Sequence, residues 1–253
     1  MADPSHRKVA LVTGSGKRRV GSVVAEHLGK RGYSLVVHYN RSGEDAEETV
    51  ARLRSHGVEA LAVQADLSRE AEVDHLVQQA GMHGRIVVLV NAAAIWLPKP
   101  LEQVTGADVR LHFEINTLGT FLCSQRVGLL MVQQPEGGCI ITIADWAIER
   151  PYLNYAAYFA SKGAIPTLTR TLAVELGSRN PRVRVNCILP GPVMLPAEMP
   201  QAEREAVIQS TLVKREGQPE HVAQAVLFLI ENDFVTGACL PVDGGRRLVS
   251  GDC

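Results

Sequence analysis

The sequence predicts an α/β fold: a doubly wound parallel sheet of about seven strands, flanked by helices on both faces. Short apolar runs rich in β-branched residues alternate with amphipathic stretches of helical period along the whole chain. No linker, internal repeat or low-complexity tract interrupts this alternation. Parallel strands need crossover connections, and those crossovers cover both faces of the sheet. We therefore expect one domain spanning residues 1–253.

The elements follow in a regular order. The runs predicted as strands are VALVTG from Val9, LVVHYN from Leu35, ALAVQAD from Ala60, IVVLVN from Ile86, CIITIAD from Cys139, VRVNCIL from Val183 and ACLPVDGG from Ala238. The stretches predicted as helices are residues 21–31, 44–55, 71–82, 105–131, 155–176 and 219–230. Because these runs are continuously apolar, we expect the strands to be buried on both faces. Residues 190–216 are interpreted as a substrate-binding loop and helix.

Composition excludes several classes of partner. The 26 basic and 27 acidic residues are mixed along the chain, so there is no charge footprint for nucleic acid or an anionic membrane. No apolar run reaches the roughly 20 residues of a membrane span, and the first strand starts too early for a signal peptide. The five cysteines are scattered without a CxxC pair, which indicates neither disulfides nor a metal site. We expect a cytoplasmic protein with a small-molecule partner, and four of the cysteines as small core residues.

A glycine-containing turn joins the first strand to the first helix. It reads Thr13-Gly14-Ser15-Gly16-Lys17-Arg18-Arg19-Val20-Gly21. Glycines let the backbone approach a pyrophosphate, and a helix N-terminus offers unpaired N–H groups and a positive dipole end. The position in the first βα unit favours a dinucleotide site over a plain structural turn. At least one residue of the basic triplet is expected to contact cofactor or substrate.

The end of the second strand indicates the choice of cofactor. It reads His38-Tyr39-Asn40-Arg41-Ser42, without the acidic residue that binds a ribose 2′-hydroxyl in NAD-binding domains. Arg41 can pair with a 2′-phosphate and Ser42 can donate a hydrogen bond, which favours NADPH over NADH. An ordinary loop arginine is the alternative for Arg41. Asp66, after the third strand, is either an acceptor for the adenine amine or a turn residue.

Four residues form the candidate catalytic group. A spacing of four places Tyr158 and Lys162 on one helix face, where the lysine can favour the ionised tyrosine and hold the nicotinamide ribose. Asp145, at the end of the fifth strand, precedes Tyr158 by thirteen residues. Asn116 lies within a predicted helix and can polarise Lys162 through water, although an asparagine there is more often simply tolerated.

Together these residues resemble the short-chain dehydrogenase/reductase family from Val9 to about Leu248. Further matching marks are Asp66-Leu67, Asn91-Ala92-Ala93, Asn186 with Pro190-Gly191-Pro192, and Val242-Asp243-Gly244-Gly245. The resemblance implies a Rossmann-type fold, hydride transfer to a carbonyl or imine, a proton from the tyrosine, and a homotetramer. The cofactor-binding residues it implies are Gly14, Lys17, Arg18, Arg19, Val20, His38, Tyr39, Asn40, Arg41, Ser42, Asp66, Leu67, Asn91, Ala92, Ala93, Ile143, Tyr158, Lys162, Pro190, Gly191 and Val193.

One departure from the family is informative, because Asp145 stands where the family usually has a serine. With Tyr155 and Tyr158, the HYxRS motif and an arginine in the phosphate turn, it resembles the pteridine reductase and dihydromonapterin reductase branch. That branch implies that Asp145 and Tyr158 together protonate a pterin. The substrate-binding residues implied are Arg19, Ile95, Trp96, Asp145, Tyr155 and Tyr158. The turn is one residue longer than in that branch, so either Arg18 or Arg19 can face the substrate.

Reduction of a pteridine such as dihydropterin or dihydrofolate is therefore the leading functional hypothesis. The second is reduction of another carbonyl, such as a 3-oxoacyl thioester or a sugar, by the same fold. The third is a non-catalytic NADPH-binding protein, which the presence of Tyr158, Lys162 and Asn116 disfavours. A flat slot between Trp96 and Tyr155 above the nicotinamide would distinguish the first hypothesis from the second.

Overall fold

The computed structural model of the chain describes residues 7–249. The ends of the predicted 1–253 domain, including Cys253, lie outside the described residues. Within them, seven parallel strands form one sheet in the order β3-β2-β1-β4-β5-β6-β7. The strands are β1 (Lys8–Thr13), β2 (Ser34–Tyr39), β3 (Ala60–Gln64), β4 (Arg85–Asn91), β5 (Gly138–Ile143), β6 (Val183–Pro190) and β7 (Cys239–Val242). This architecture confirms the predicted fold class.

Helices cover both faces of the sheet. They are α1 (Val20–Lys30), α2 (Gly43–Ser55), α3 (Glu70–His83), α4 (Gly106–His112), α5 (Gly119–Gln133), α6 (Ala156–Gly177), α7 (Gln201–Gln209) and α8 (Pro219–Glu231). One core cluster lies between the sheet and α1, α2 and α8, and the other between the sheet and α3, α5 and α6. Strands β1, β2 and β6 are almost wholly buried, as the continuous apolar runs predict.

The helix predicted over residues 105–131 is divided by a π-helical turn, Phe113–Leu118, between α4 and α5. The wider turn contains Asn116, whose side chain bonds to a neighbouring loop and to α6. Periodicity averaged over the stretch does not reveal one wide turn, and such turns occur often at functional sites.

The direction of chain progression reverses between β1 and β4. From β1 the chain builds outward through β2 and β3, and it then crosses back to add β4 and the remaining strands on the other side. In open parallel sheets such a reversal opens a crevice beyond the carboxyl ends of the strands, because adjacent loops diverge there. The fold therefore places the candidate site at this edge of the sheet.

Two further predictions concern the chain as a whole. No helix among residues 7–249 is long and apolar enough to cross a membrane. Three of the four cysteines in this range, Cys123, Cys139 and Cys187, are buried. The prediction was wrong for Cys239, which is half-buried because β7 is the outermost strand.

Candidate active site

A cleft of about 510 Å³ opens where β1 and β4 diverge. Its two sides are joined by Thr13, whose Oγ1 accepts hydrogen bonds from the N–H groups of Ala92 and Ala93, both at 3.1 Å. The end of β1 is therefore fixed against the loop that follows β4. This contact holds the floor of the cleft at a set width.

The turn after β1 requires glycine at two positions. Gly14 has a φ of +64°, and a Cβ there would lie 2.6 Å from the Cα of Ala93. A Cβ at Gly21 would lie 2.7 Å from the carbonyl oxygen of Gly14. The turn therefore packs tightly against the β4 loop and against the start of α1. The N-terminus of α1 is directed toward the cleft, with Val20 lining it.

His38 fixes this turn to the neighbouring strands. The N–H of Gly14 donates to its Nδ1 at 3.0 Å, so Nε2 carries the ring proton and donates to the carbonyl of Ala65 at 2.9 Å. Burial lowers the pKa of His38 to about 4, which keeps the ring neutral. His38 lines the cleft, but both of its ring nitrogens are engaged with the protein.

Most residues predicted to bind the cofactor line the cleft. Those that do are Gly14, Lys17, Arg19, Val20, His38, Tyr39, Asn40, Ser42, Ala92, Ala93, Ile143, Tyr158, Lys162, Pro190, Gly191 and Val193. The cleft is also lined by Gly16 and Gly21 of the predicted phosphate turn and by Met194 of the predicted substrate loop, whereas Ala94 and Ala144 were not predicted. Their place beside predicted residues in the same loops is the signal that could have found them.

Five predicted cofactor residues do not line the cleft: Arg18, Arg41, Asp66, Leu67 and Asn91. Arg18 and Arg41 are exposed, which leaves Arg19 as the turn arginine that borders the cleft. Asp66 accepts hydrogen bonds from the N–H and the hydroxyl of Ser68, as a turn residue does.

The other two of these five have structural contacts. Asn91 donates from Nδ2 to the hydroxyl of Ser124 on α5. Leu67 belongs to the core between the sheet and α3. Both side chains therefore pack into the protein interior, and they anchor the loops that border the cleft.

The cleft fits an elongated dinucleotide with phosphates. It extends from Ser42 and Tyr39 at the end of β2, past the glycine turn, to Tyr158 and Lys162 on α6. The missing Cβ atoms of the turn leave the backbone accessible, and Lys17 and Arg19 add positive charge beside it. No group of three histidine, cysteine or acidic side chains within residues 7–249 could hold a metal ion.

Tyr158 and Asp145 meet at the inner end of the cleft. The hydroxyl of Tyr158 donates to Oδ2 of Asp145 at 2.7 Å, and the N–H of Ala147 donates to Oδ1 at 2.8 Å. Burial raises the pKa of Asp145, although both hydrogen bonds oppose this effect. Burial and the adjacent carboxylate raise the pKa of Tyr158 above its ordinary value. Tyr158 is therefore held in its protonated form.

This arrangement corrects the predicted effect of Lys162. The sequence predicted that Lys162 lowers the pKa of Tyr158, but burial and Asp145 dominate and raise it. The lysine Nζ instead donates to the carbonyl of Ile143 at 2.7 Å. Burial lowers the pKa of Lys162 to about 8, while Asp145 opposes that shift. Its ammonium group borders the cleft, where a ribose hydroxyl can accept from it.

Asn116 makes direct hydrogen bonds to the loop after β4 and to α6. Its Oδ1 accepts from the N–H of Ile95 at 2.8 Å, and its Nδ2 donates to the Ile95 carbonyl and to the hydroxyl of Ser161. Ser161 in turn donates to the carbonyl of Tyr158. The side chain of Asn116 thus joins the β4 loop to the second turn of α6, next to the turn that carries Tyr158. It acts on the position of Tyr158 and makes no side-chain hydrogen bond to Lys162.

A second cavity of about 670 Å³ adjoins the cleft and shares Trp96, Asp145, Tyr158, Gly191 and Met194 with it. Its other lining residues are Trp146, Tyr152, Leu153, Asn154, Tyr155, Pro192, Leu195, Pro196, Met199, Glu203, Val207 and Arg246. The segment between β6 and α7 supplies most of the apolar side, as the predicted substrate loop requires. Aromatic rings from the β4 and β5 loops form the opposite side.

Trp96 and Tyr155 do not flank a slot. Their rings stack directly, with centroids 4.8 Å apart and planes 9° from parallel. A flat ring between them would require a separation of about 7 Å, twice the usual contact distance. Ile95, predicted to bind substrate, lines neither cavity, and its backbone N–H and carbonyl are hydrogen-bonded to Asn116. The geometry predicted for a stacked pterin is therefore absent between these two rings.

Sequence reasoning missed Trp146, Tyr152 and Arg246 as lining residues of the second cavity. Trp146 and Tyr152 lie between Asp145 and Tyr158 in the chain, so they were near a predicted site. Arg246 follows β7, and the carboxyl ends of all parallel strands meet at one edge of a sheet. That rule is the signal by which Arg246 could have been found.

The geometry defines an oxidoreductase site of the nicotinamide-dependent type. A dinucleotide cleft ends at a buried tyrosine that retains its proton, and a mostly apolar cavity continues beyond it. A substrate in this cavity would place its reacting atom next to a proton donor. The hydrogen bond to Asp145 and the helix turn anchored by Asn116 hold that donor in position.

Comparison with known proteins identifies the family. The sequence model of the family described as enoyl-(acyl carrier protein) reductase matches residues 15–247. A 3-oxoacyl-(acyl-carrier-protein) reductase from Synechocystis sp. is 36% identical over 243 residues, which are 94% of this chain and 96% of the relative. The (2S)-((R)-hydroxy(phenyl)methyl)succinyl-CoA dehydrogenase subunit BbsD from Thauera aromatica is 33% identical, covering 96% of this chain and 98% of the relative.

A solved structure agrees with these relatives. The blue fluorescent protein from a metagenomic library, in complex with NADPH, superposes with a TM-score of 0.85 at 33% identity, covering 96% of this chain and 98% of that one. The chain belongs to the short-chain dehydrogenase/reductase family, and it is an oxidoreductase of that family.

Proposed function

We propose that this protein reduces a carbonyl group with NADPH, and that its substrate is a 3-oxoacyl thioester or a closely related 3-oxo compound. The observation that carries the proposal is the position of Tyr158. Its hydroxyl lies where the dinucleotide cleft meets the second cavity, and it donates a hydrogen bond to Asp145. A proton donor at this junction suits reduction of a carbonyl to a hydroxyl.

The residues of the chain would divide the work as follows. A reduced nicotinamide bound in the cleft supplies the hydride. Tyr158 donates its proton to the carbonyl oxygen, and Asp145 orients the hydroxyl through the 2.7 Å hydrogen bond. Lys162 holds a ribose hydroxyl at the inner end of the cleft. Asn116 positions the turn that carries Tyr158, through Ser161.

The preference for NADPH rests on charge. Lys17 and Arg19 border the cleft, Ser42 lines it after β2, and no acidic side chain of the described residues lines this end of the cleft. Arg41 is exposed beside this end of the cleft, where its guanidinium can turn toward a phosphate. The solved relative that holds NADPH supports the same choice.

The substrate class rests on two observations. Both relatives described above have names that refer to acyl thioesters, on an acyl carrier protein in one and on coenzyme A in the other. The second cavity also lacks a slot between Trp96 and Tyr155, and its loop side is apolar, which suits an acyl chain. Reduction of a 3-oxoacyl group therefore fits better than reduction of a flat heterocycle.

A pteridine is the second candidate, and the contact between Asp145 and Tyr158 favours it. A paired carboxylate and phenol can supply protons to ring nitrogens, which a serine hydroxyl offers less strongly. Arg19 also borders the cleft, where the resemblance to pteridine reductases places an arginine of the phosphate turn. The stacked pair of Trp96 and Tyr155 opposes this candidate.

The test is a steady-state assay of NADPH oxidation with matched substrates. The purified protein would be mixed with acetoacetyl-CoA, dihydrobiopterin and dihydrofolate in turn, and NADH would replace NADPH in parallel. We expect turnover with acetoacetyl-CoA and NADPH. Tyr158→Phe should reduce kcat by at least about a hundredfold, because it removes the proton donor. Phe159→Tyr, a neighbour outside both cavity linings, serves as the matched control.

Each outcome decides between the candidates. Turnover on a dihydropterin alone, lost in Asp145→Ser, would replace the thioester with a pteridine. Tight NADPH binding without turnover on any of these compounds would indicate a non-catalytic binding protein. A preference for NADH would show that Lys17, Arg19 and Arg41 do not bind a 2′-phosphate.

A further inference from the structure

Arg246 occupies an unusual place in the second cavity. It lies in the short helical turn Arg246–Leu248 after β7, and its guanidinium carbon sits 4.5 Å from the centre of the Trp146 ring. Trp146 is nearly fully buried beside Ala147 and Tyr158. Stacking on a fixed indole orients the guanidinium plane and holds it at the cavity wall.

The guanidinium has no acidic partner among residues 7–249. No carboxylate lies within 4.0 Å of it, and no side-chain hydrogen bond from it is present. Asp243, the nearest acid along the chain, accepts instead from the N–H groups of Gly245 and Arg247. The neighbouring Arg247 forms an ion pair with Glu149, whereas Arg246 forms none with the described residues. Burial lowers the pKa of Arg246, and the nearby Asp145 and Asp243 oppose this shift without forming an ion pair with the guanidinium.

The charges around the cavity limit what Arg246 can bind. It is the single cationic side chain among the described residues that line this cavity. Of the two acidic residues that line it, Asp145 is hydrogen-bonded to Tyr158 and Glu203 lies on α7. An unpaired guanidinium fixed in a mostly apolar cavity binds a carboxylate strongly, because water competes weakly there.

We propose that Arg246 binds an acidic group carried by the substrate, so that the preferred substrate is a 3-oxoacyl compound with a carboxylate on its acyl chain. This inference rests on the proposed function and narrows it to a substrate class. In this arrangement the 3-oxo carbonyl of the substrate lies at Tyr158 and its carboxylate lies at Arg246. The aromatic rings and the segment between β6 and α7 cover the acyl chain between them.

The test uses two thioesters that differ at one end. The probes are the N-acetylcysteamine thioesters of 3-oxohexanoate and 3-oxoadipate, which match in chain length and differ in a terminal methyl or carboxylate. Each is assayed with NADPH in the wild-type protein, Arg246→Gln, Arg246→Lys and the control Arg247→Gln. Dissociation constants are measured in parallel by calorimetry with NADP⁺, where no reduction of the probe occurs.

We expect the wild-type protein to prefer the 3-oxoadipyl thioester in kcat/KM by about ten- to a hundredfold, the range of one charge-assisted contact. Arg246→Gln should abolish this preference, mainly through KM, and leave the 3-oxohexanoyl thioester within about threefold of wild type. Arg246→Lys should restore part of the preference, and Arg247→Gln should retain all of it.

Two results would overturn the inference: equal kcat/KM for both probes in the wild-type protein, or an equal loss on both in Arg246→Gln, which would mean that Arg246 only supports Trp146. The calorimetry separates this inference from the proposed function. Absence of turnover with tighter, Arg246-dependent binding of the carboxylate probe would refute the 3-oxoacyl reaction and support the anion site. Turnover with equal binding of the two probes would support the 3-oxoacyl reaction and refute the anion site at Arg246.

Discussion

At the scale of single residues, the hydroxyl of Tyr158 contacts a carboxylate where a hydroxyl is usual in the family. A serine at this position would carry no charge, whereas the Asp145 carboxylate lies 2.7 Å from the phenol oxygen. The second negative charge of a phenolate would be costly in this buried position. The pair therefore favours the protonated tyrosine, which is the form that reduction of a carbonyl consumes.

This pairing predicts the pH dependence of the reverse reaction. Alcohol oxidation requires the Tyr158 phenolate as a proton acceptor, and Asp145 raises the pKa of Tyr158. In the wild-type protein, oxidation of a 3-hydroxyacyl thioester by NADP⁺ should therefore increase only at strongly alkaline pH. In Asp145→Ser this increase should shift to lower pH, because the carboxylate no longer opposes ionisation. The measurement is kcat against pH in both proteins.

Asp145→Asn serves as a comparison of similar size without the charge. It should shift the profile in the same direction as Asp145→Ser. An unchanged profile in both variants would mean that Asp145 does not control the ionisation of Tyr158.

At the scale of elements, the glycine turn, β2 and the end of β3 are connected through one side chain. His38 accepts from the Gly14 N–H and donates to the Ala65 carbonyl, so it joins three loops that border the cleft. The role predicted for His38 was contact with the cofactor. Its buried hydrogen bonds show that it also positions the backbone of the phosphate turn.

The neutral His38 predicts a loss of stability on acidification. Its pKa is about 4 in the folded protein against 6.5 when exposed, so the unfolded chain binds more protons between these values. The free energy of unfolding should fall by roughly 3 kcal/mol as the pH drops from 6.5 to 4 on account of this group. The measurement is the urea midpoint across that pH range.

A His38→Gln variant tests the assignment. It should be about 2–4 kcal/mol less stable than wild type at pH 7, because two buried hydrogen bonds are disturbed, and its pH dependence should be flatter. The control His75→Gln changes an exposed histidine and should match wild type. Equal slopes for His38→Gln and wild type would contradict this account.

At the scale of the whole molecule, large apolar side chains are exposed along the surface of α4, α5 and α6. They are Leu111, Phe113, Leu118, Leu129, Leu130 and Val174. Large apolar side chains exposed in this number favour an interface with another subunit. We propose that these helices meet their counterparts in a homotetramer, which the family resemblance also implies.

The oligomer prediction is tested by light scattering. The wild-type protein should have four times the mass of one chain. The double variant Leu129→Glu with Val174→Glu should form a smaller species, because buried charges at an interface are costly. Met82→Glu, an exposed apolar residue on α3, should leave the mass unchanged. A monomeric wild-type protein would contradict the proposal.

Local pattern accounts for much of the agreement between sequence and structure. Six of the seven strands lie within two residues of their predicted bounds, because continuous apolar runs identify strands buried on both faces, whereas β7 ends three residues before its predicted run does. The spacing of Tyr158 and Lys162 predicts that both project from one helix face, and both line the cleft. The π-helical turn at Asn116 escaped prediction, because its contacts come from Ile95 and Ser161, which are distant in the chain.

The sequence by itself determined the alternating elements, and with them the parallel sheet, the crevice at its reversal and the glycine turn beside it. These features depend on periodicity and on neighbours in the chain, which the sequence records directly. Only the tertiary structure decided that burial and Asp145 raise the pKa of Tyr158, that Trp96 stacks on Tyr155, and that Arg246 lines the second cavity. Each of these depends on distances between distant segments and on burial, which are set when the loops pack together.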